Sequence, residues 1–188
     1  IYGDTALVGA PDADPGALTG AGTAYVFVRT GTTWTQQATL TANDKASGKQ
    51  FGYSVGLYGD TAVVGTGEGE AAYVFVRNGS TWTQQAKLTA SDAASGDDDK
   101  FGSTVAISGD TILVGAWREE PDGLSFAGAA YVFVRTGTTW SQQAKLKAGD
   151  QVTENSFGIS VALSGETALV AAAANSATIP GSGAVYVF

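Results

Sequence analysis

Cysteine, histidine and methionine are all absent from these 188 residues, and only 10 lysines and arginines stand against 18 aspartates and glutamates. Without cysteine and histidine there is no thiolate nucleophile, no Ser-His-Asp triad, no zinc or haem ligation through those side chains and no usual general base. A formal net charge of −8, with no lysine or arginine cluster, argues against nucleic acid or an anionic membrane as partner, since both demand a basic footprint. No apolar run approaches the roughly 18 residues of a membrane span. No signal peptide is visible, and the lack of disulfides does not by itself decide the compartment. Opening on Ile1 rather than methionine, the chain reads as a processed product or a piece of something longer. Helical periodicity of useful length is also missing. What is present is a 44% hydrophobic sequence with 26 glycines, enough for a folded core.

That hydrophobicity is arranged as a long repeat. Residues 101–146 contain four short strand-like runs, at 101–107, 109–116, 130–135 and 140–146, and most other segments copy some part of them. Phe-Gly recurs at Phe51-Gly52, Phe101-Gly102 and Phe157-Gly158, a period of about 50 residues. Residues 1–9 repeat 57–65 almost letter for letter, so the first unit begins in its second run; the last stops after its third, at Phe188. The units are 1–50, 51–100, 101–156 and 157–188, all within one region spanning 1–188, the first and last incomplete.

Each run has its own character. In the first, Phe101, Ser103, Val105 and Ile107 alternate with the smaller Gly102, Thr104, Ala106 and Ser108, which leaves one face open to close approach by a neighbour. The second, around Ile112-Leu113-Val114, is apolar on both faces and therefore central. The third carries Tyr131 and Phe133 against Val132 and Val134 and meets solvent at Arg135. The fourth alternates Trp140, Gln142, Ala144 and Leu146 with Ser141, Gln143 and Lys145, an outer edge guarded by lysine. Gly3-Asp4, Gly59-Asp60 and Gly109-Asp110 predict tight turns between the first two strands, and Asn78-Gly79 a type I′ turn between the last two. Antiparallel four-stranded units graded from buried to exposed predict an all-β fold of propeller blades rather than solenoid coils. The ring is either small and closed or part of a larger one.

Phe-Gly opening a strand, followed by Val-Gly-Ala-Pro at residues 8–11 and Val-Gly-Ala at 114–116, resembles the FG-GAP repeat. This is the blade repeat of integrin α-chain propellers and of many bacterial exported proteins, and the Tyr-Val-Phe-Val-Arg and Thr-Trp-Thr-Gln-Gln-Ala-Lys-Leu runs look like the bacterial version. The resemblance implies an extracellular β-propeller, often seven-bladed, used for adhesion or as a scaffold. It also implies calcium in members whose first hairpin carries an Asp-x-Asp-x-Asp-Gly loop. Here that hairpin is a tight turn with a single carboxylate, such as Asp110, so the calcium loop is not matched and no cofactor is expected; calcium stays open as an alternative, with Asp12, Asp14, Asp97, Asp98 and Asp99 as the candidate ligands.

Candidate sites lie in the loops. Asp97, Asp98 and Asp99 form the densest acid cluster, but consecutive carboxylates point apart, and Asp12 and Asp14 have alternate spacing with too few ligands; both read first as solvated or turn-forming acids. Asp44, Asp92 and Asp150 recur after each fourth strand, suggesting acceptors for backbone N–H groups in the connecting turn. Trp34, Trp82 and Trp140 recur as well, either as carbohydrate platforms or as plugs of each blade's outer edge. Trp117, Arg118, Glu119, Glu120, Asp122 and Phe126, with Pro121 and Leu124, belong to unit three alone. Unrepeated aromatic and charged residues on a loop are the first place to look for a specific contact, although Trp117 and Phe126 could equally pin the loop down.

The residues thus favour a non-enzymatic extracellular module that contacts a protein, a glycan or neighbouring copies of itself. A structural subunit completed by strand addition at the incomplete units is the alternative. A glycosidase working with two carboxylates needs an unrepeated pair near the propeller axis, and the first strands contain none.

Overall fold

The computed structural model describes residues 1–68, 70–93, 98–173 and 182–188. The first blade is β1 (Thr5–Ala10), β2 (Thr23–Thr30) and β3 (Thr33–Leu40). The second is β4 (Phe51–Tyr58), β5 (Thr61–Thr66), β6 (Ala72–Asn78) and β7 (Thr81–Leu88). The third is β8 (Thr104–Ser108), β9 (Thr111–Ala116), β10 (Ala129–Thr136) and β11 (Thr139–Leu146), and the fourth β12 (Ser160–Ser164), β13 (Thr167–Ala172) and β14 (Ala184–Val187). Within each blade strands pair antiparallel in chain order, as the repeat predicts. The predicted gradient also holds: β5 is buried along its whole length, whereas β7 alternates exposed and half-buried residues.

Of the two kinds of hairpin turn, one forms as expected and one is shifted by a residue. Tyr58 pairs with Thr61, which leaves Gly59-Asp60 as the two-residue turn, as predicted. In the other hairpin Asn78 itself pairs with Thr81, so the turn is Gly79-Ser80 and the positive φ of 62° falls on Gly79 at its first position. One glycine there meets the geometry without Asn78 entering the turn.

The core is three slabs, one at each interface between blades. At the heart of each lies the Phe of a Phe-Gly pair: Phe51, Phe101 and Phe157 are all essentially inaccessible. Phe101 meets the rings of Tyr131 and Phe133 edge-on at 5.4 and 6.0 Å, and Phe51 and Phe157 repeat this against Tyr73 with Phe75 and Tyr186 with Phe188. The Phe-Gly pair is not plain strand, however. The preceding Gln50, Lys100 and Ser156 have φ of 53°, 60° and 53°, and Gly102 has φ of 94°. The ladder is accordingly irregular between Phe51 and Ser54, and β8 and β12 begin only after the pair. This contorted entry drives the phenylalanine between sheets.

The glycine that follows is required by its neighbour. A Cβ on Gly102 would lie 2.2 Å from the Ala71 carbonyl oxygen of the second blade, and one on Gly65 of that blade would lie 1.9 Å from the Gly102 oxygen. Gly9 against Gly52 and Gly115 against Gly158 repeat the contact at the other two interfaces. Blades therefore meet backbone to backbone at this point.

Farther out, side chains staple the blades. Arg77 bonds Asp60 of its own blade at 2.7 Å and Thr5 Oγ1 of the first blade at 3.0 Å, and stacks 5.2 Å over Trp82, whose indole N–H donates to Gln37 of the first blade at 3.0 Å. Arg135, Asp110, Thr61, Trp140 and Gln85 repeat the set one blade on. Trp82 and Trp140 are thus outer-edge plugs, one face under an arginine and the indole N–H tied to the previous blade, whereas Trp34 of the first blade lies under Arg29 and stays exposed.

Gly102→Ala combines a strained φ with a backbone clash and is expected to cost about 3–5 kcal/mol. Gly109→Ala, with φ of 58° but open space around the position, should cost only about 1 kcal/mol. Urea unfolding of the two variants checks the contrast; equal losses would remove the inter-blade contact as the reason for the Phe-Gly glycine.

Candidate functional site

The loop from residue 117 to 126 leaves β9 and returns to β10, and its backbone is a copy of the first blade's loop from 11 to 20. Gly128 N–H donates to Glu119 O at 2.9 Å as Gly22 does to Ala13 O, and Ala127 N–H to Leu124 O at 3.2 Å as Ala21 does to Leu18 O. Both loops hold a short 3₁₀ turn at equivalent places, Pro15–Ala17 and Pro121–Gly123. This corrects the reading of the loop as unique to unit three: the path is repeated and only the side chains differ. The shared Pro15/Pro121, Leu18/Leu124 and Ala21-Gly22/Ala127-Gly128 carry the common path, a signal legible in the sequence once the two loops are aligned without gaps.

The side chains that differ are the functional candidates. Where the first blade has Gly20 at φ 61°, the third has Phe126 at φ 53°, a bulky residue in the left-handed region that nonetheless leaves 43% of its surface exposed. The Arg118 guanidinium lies 4.8 Å over the Trp117 ring and 5.7 Å over Phe126, so the stack does pin the loop. Arg118 also pairs with Asp98 at 2.5 Å, and its N–H donates to Asp99 O at 3.1 Å. The connection from the second blade is thereby drawn against the loop of the third.

These contacts bring the two strongest candidates together. Asp92, Asp98, Asp99, Glu119 and Glu120, with Arg118 and Phe126, line one open cleft of about 520 Å³ between the second and third blades. Asp122 stands apart, paired with Lys147, and Asp97 lies outside the described residues. Trp117 enters the site only through Arg118.

Lys145 is the cation the sequence undervalued. Rather than guarding an edge, its Nζ bridges Asp92 at 2.7 Å and Glu119 at 2.6 Å. Burial pulls its pKa down, but the two carboxylates outweigh that and hold it above the ordinary lysine value. Asp92, raised by burial, is brought below its usual range by Lys145. The Tyr131 hydroxyl is buried against these carboxylates; burial first, then Glu119 and Asp92, push its pKa up.

The recurring aspartates follow the same logic: Asp44 and Asp92 each accept a backbone N–H in the connecting turn, as read from the sequence, and also take a side-chain partner from the next blade. Lys87 bonds Asp44 at 2.6 Å, and Tyr186 Oη donates to Asp150 at 2.7 Å. They tie each connection to the next blade's outer strands through side chains.

The second blade solves the loop problem differently. Glu70 stands at the position of Gly22 and Gly128, and its carboxylate accepts the N–H groups of Lys100 at 3.0 Å and Phe101 at 2.9 Å. In the other two interfaces loop carbonyls of Gly20 with Ala21, and of Phe126 with Ala127, take the equivalent N–H groups. Lys100 in turn bridges Glu68 and Asp98, and these bridges hold its pKa up against the downward pull of burial.

The remaining metal candidates are otherwise engaged: Asp14 accepts Gly20 N–H at 2.7 Å and Asp12 accepts the Gln50 amide at 3.3 Å. Asp4, Asp60 and Asp110, in the hairpins where the family's calcium loop would lie, each pair with an arginine. Among the described residues no group of three His, Cys, Asp or Glu side chains is placed to hold a metal ion.

Lys145→Met leaves Asp92 and the largely buried Glu119 unpaired side by side, and should cost about 1–2 kcal/mol near pH 7. Because the folded pKa of Lys145 lies above the unfolded one, its contribution is full below the unfolded value of about 10.4 and fades as pH rises through the folded value. Unfolding of wild type and variant from pH 7 to 11.5 should therefore converge at the alkaline end; a constant difference would rule out the ion pair as its source.

The FG-GAP repeat family matches residues 34–75, 82–133 and 140–188. No curated protein matches the chain. Each matched segment starts at an outer-strand tryptophan and ends at the third-strand phenylalanine of the next blade, so the family's unit straddles an interface and carries its Phe-Gly contact. By matches that span most of its length, and by the blades that those residues build, the chain belongs to the FG-GAP repeat family.

Proposed function

We propose that this β-propeller chain is a non-enzymatic extracellular scaffold that binds a protein ligand through the cleft between its second and third blades. The observation that carries the reading is Phe126: a half-exposed phenylalanine kept in a left-handed conformation on a loop whose twin in the first blade uses glycine there. Backbone strain retained beside an acidic cleft is a common mark of a contact residue. The five carboxylates outnumber the cations paired with them, Arg118, Lys100 and Lys145, and that acidic excess favours a ligand with a basic surface; charge of this kind speeds encounter and selects partners more than it adds affinity. A glycan ligand is supported less well, because Trp82 and Trp140 each have a ring face covered by arginine. No helix among the described residues is long and apolar enough to cross a membrane, which accords with an exported module.

Because the two loops share a path, the first blade's residues 11–20 can replace 117–126 with little change in fold. The wild type is expected to bind one or more members of a panel of cell-surface and matrix proteins, more weakly as salt rises. The grafted chain should lose at least tenfold in affinity, as should Phe126→Gly, whose stability should stay within about 1 kcal/mol of wild type. Undiminished binding by the graft, or saturable turnover of a glycan or ester by the wild type, would sink the proposal.

A further inference from the structure

The fourth blade departs from the other three on the face it turns toward a following blade. In blades one to three that face carries a glycine and an alanine directly paired across two strands: Gly9 with Ala24, Gly65 with Ala72 and Gly115 with Ala130. All three alanines are inaccessible. The oxygen of the next blade's Phe-Gly glycine sits where a Cβ on the first member would be, 1.9 to 2.2 Å away. In the fourth blade the same pair is Ala171 with Val185. Register fixes the equivalence, since Ala171 pairs with Ser160 as Gly115 pairs with Thr104. Hydrogen bonding fixes it again: Gly158 N–H donates to Ala171 O at 2.9 Å as Gly102 N–H donates to Gly115 O at 3.1 Å.

We infer that Ala171 and Val185 make the fourth blade a stop in the stack, a face that refuses a further Phe-Gly strand in the geometry of the other three interfaces. The methyl of Ala171 occupies the place of the incoming carbonyl oxygen. Restoring an ordinary carbon–oxygen contact would separate the backbones by about 1 Å, and a gap of that size forfeits a quarter to a half of each packing contact across it. Val185 adds two further methyl groups beside it and is 63% exposed. Both changes run in the same direction, from small to larger, at directly paired positions on one face. Identical fronts and backs would let like blades add without limit, the heterologous pattern that yields open stacks. Two small enlargements end that self-complementarity while leaving the fourth blade's own entry contacts, Phe157 against Gly128 and Gly158 against Gly115, intact.

The test is a chain in which residues 134–188 are repeated after Phe188, so that blade four gains an outer strand copied from β11 and a fifth blade copied from blade four follows. Hydrogen exchange at the added Phe-Gly amides should be at least 100-fold faster than at Phe101. In the same chain carrying Ala171→Gly with Val185→Ala it should fall to within tenfold of Phe101. The reverse experiment uses the 188-residue chain: Gly115→Ala with Ala130→Val should release the Phe157 and Gly158 amides to rapid exchange while Phe51 stays protected. The inference is overturned if the added blade is equally protected with either pair, if the Gly/Ala pair leaves it unprotected, or if blade four stays protected when the third blade carries Ala and Val.

Discussion

Everything in this molecule depends on how closely one sheet can approach the next. Sheets that meet through side chains sit about 10 Å apart. Here, at one point per interface, glycine backbone meets glycine backbone, and a single Cβ on either side would fall about 2 Å from a carbonyl oxygen. That approach brings the contorted Phe-Gly entry near enough to the preceding blade for the phenylalanine to be enclosed on all sides. The glycines supply almost no buried area themselves; they set the distance at which Phe51, Phe101 and Phe157 can supply it.

The polar staples are secondary to that spacing but decide the angle. Arginine to aspartate within a blade, arginine to threonine and tryptophan to glutamine between blades, and lysine to aspartate at the connections all lie outward of the glycine contact. Most are partly exposed, and exposed ion pairs contribute little free energy. Their use is geometric: at each of the first two interfaces three directed contacts leave a blade one orientation relative to its neighbour.

Much of this was legible in the sequence. Four in-phase copies gave strand order, the burial gradient and the place of Phe-Gly, because a repeat reports the same physical demand several times over. The site was legible only in part. Arg118, Glu119, Glu120, Phe126, Asp98 and Asp99 stood out by composition, yet nothing linear says that a loop after β9 meets a connection ahead of β8. Lys145 was hidden because lysine on an outer strand has an adequate simpler explanation, and Glu70 because a glutamate in the place of a glycine is invisible until the amides it serves are seen. The shared path of the loops at 11–20 and 117–126 could have been read from Pro, Leu and Ala-Gly in common, but their divergent side chains masked it.

That masking is instructive about where such a scaffold keeps its freedom. The backbone of the loop is fixed by its two strand ends and by carbonyls that must serve the next blade's Phe-Gly amides, so the second blade could shorten it only by substituting a carboxylate for those carbonyls. Side chains on the loop face no such constraint. The third blade uses the liberty to place an aromatic ring where backbone conformation asks for glycine, and to surround it with charge. A strained aromatic is a poor answer to a folding problem that the first blade solves with Gly20. Under the function proposed for the cleft it answers a recognition problem, because the rigid stack beneath carries the strain and holds the ring at a fixed place on the surface.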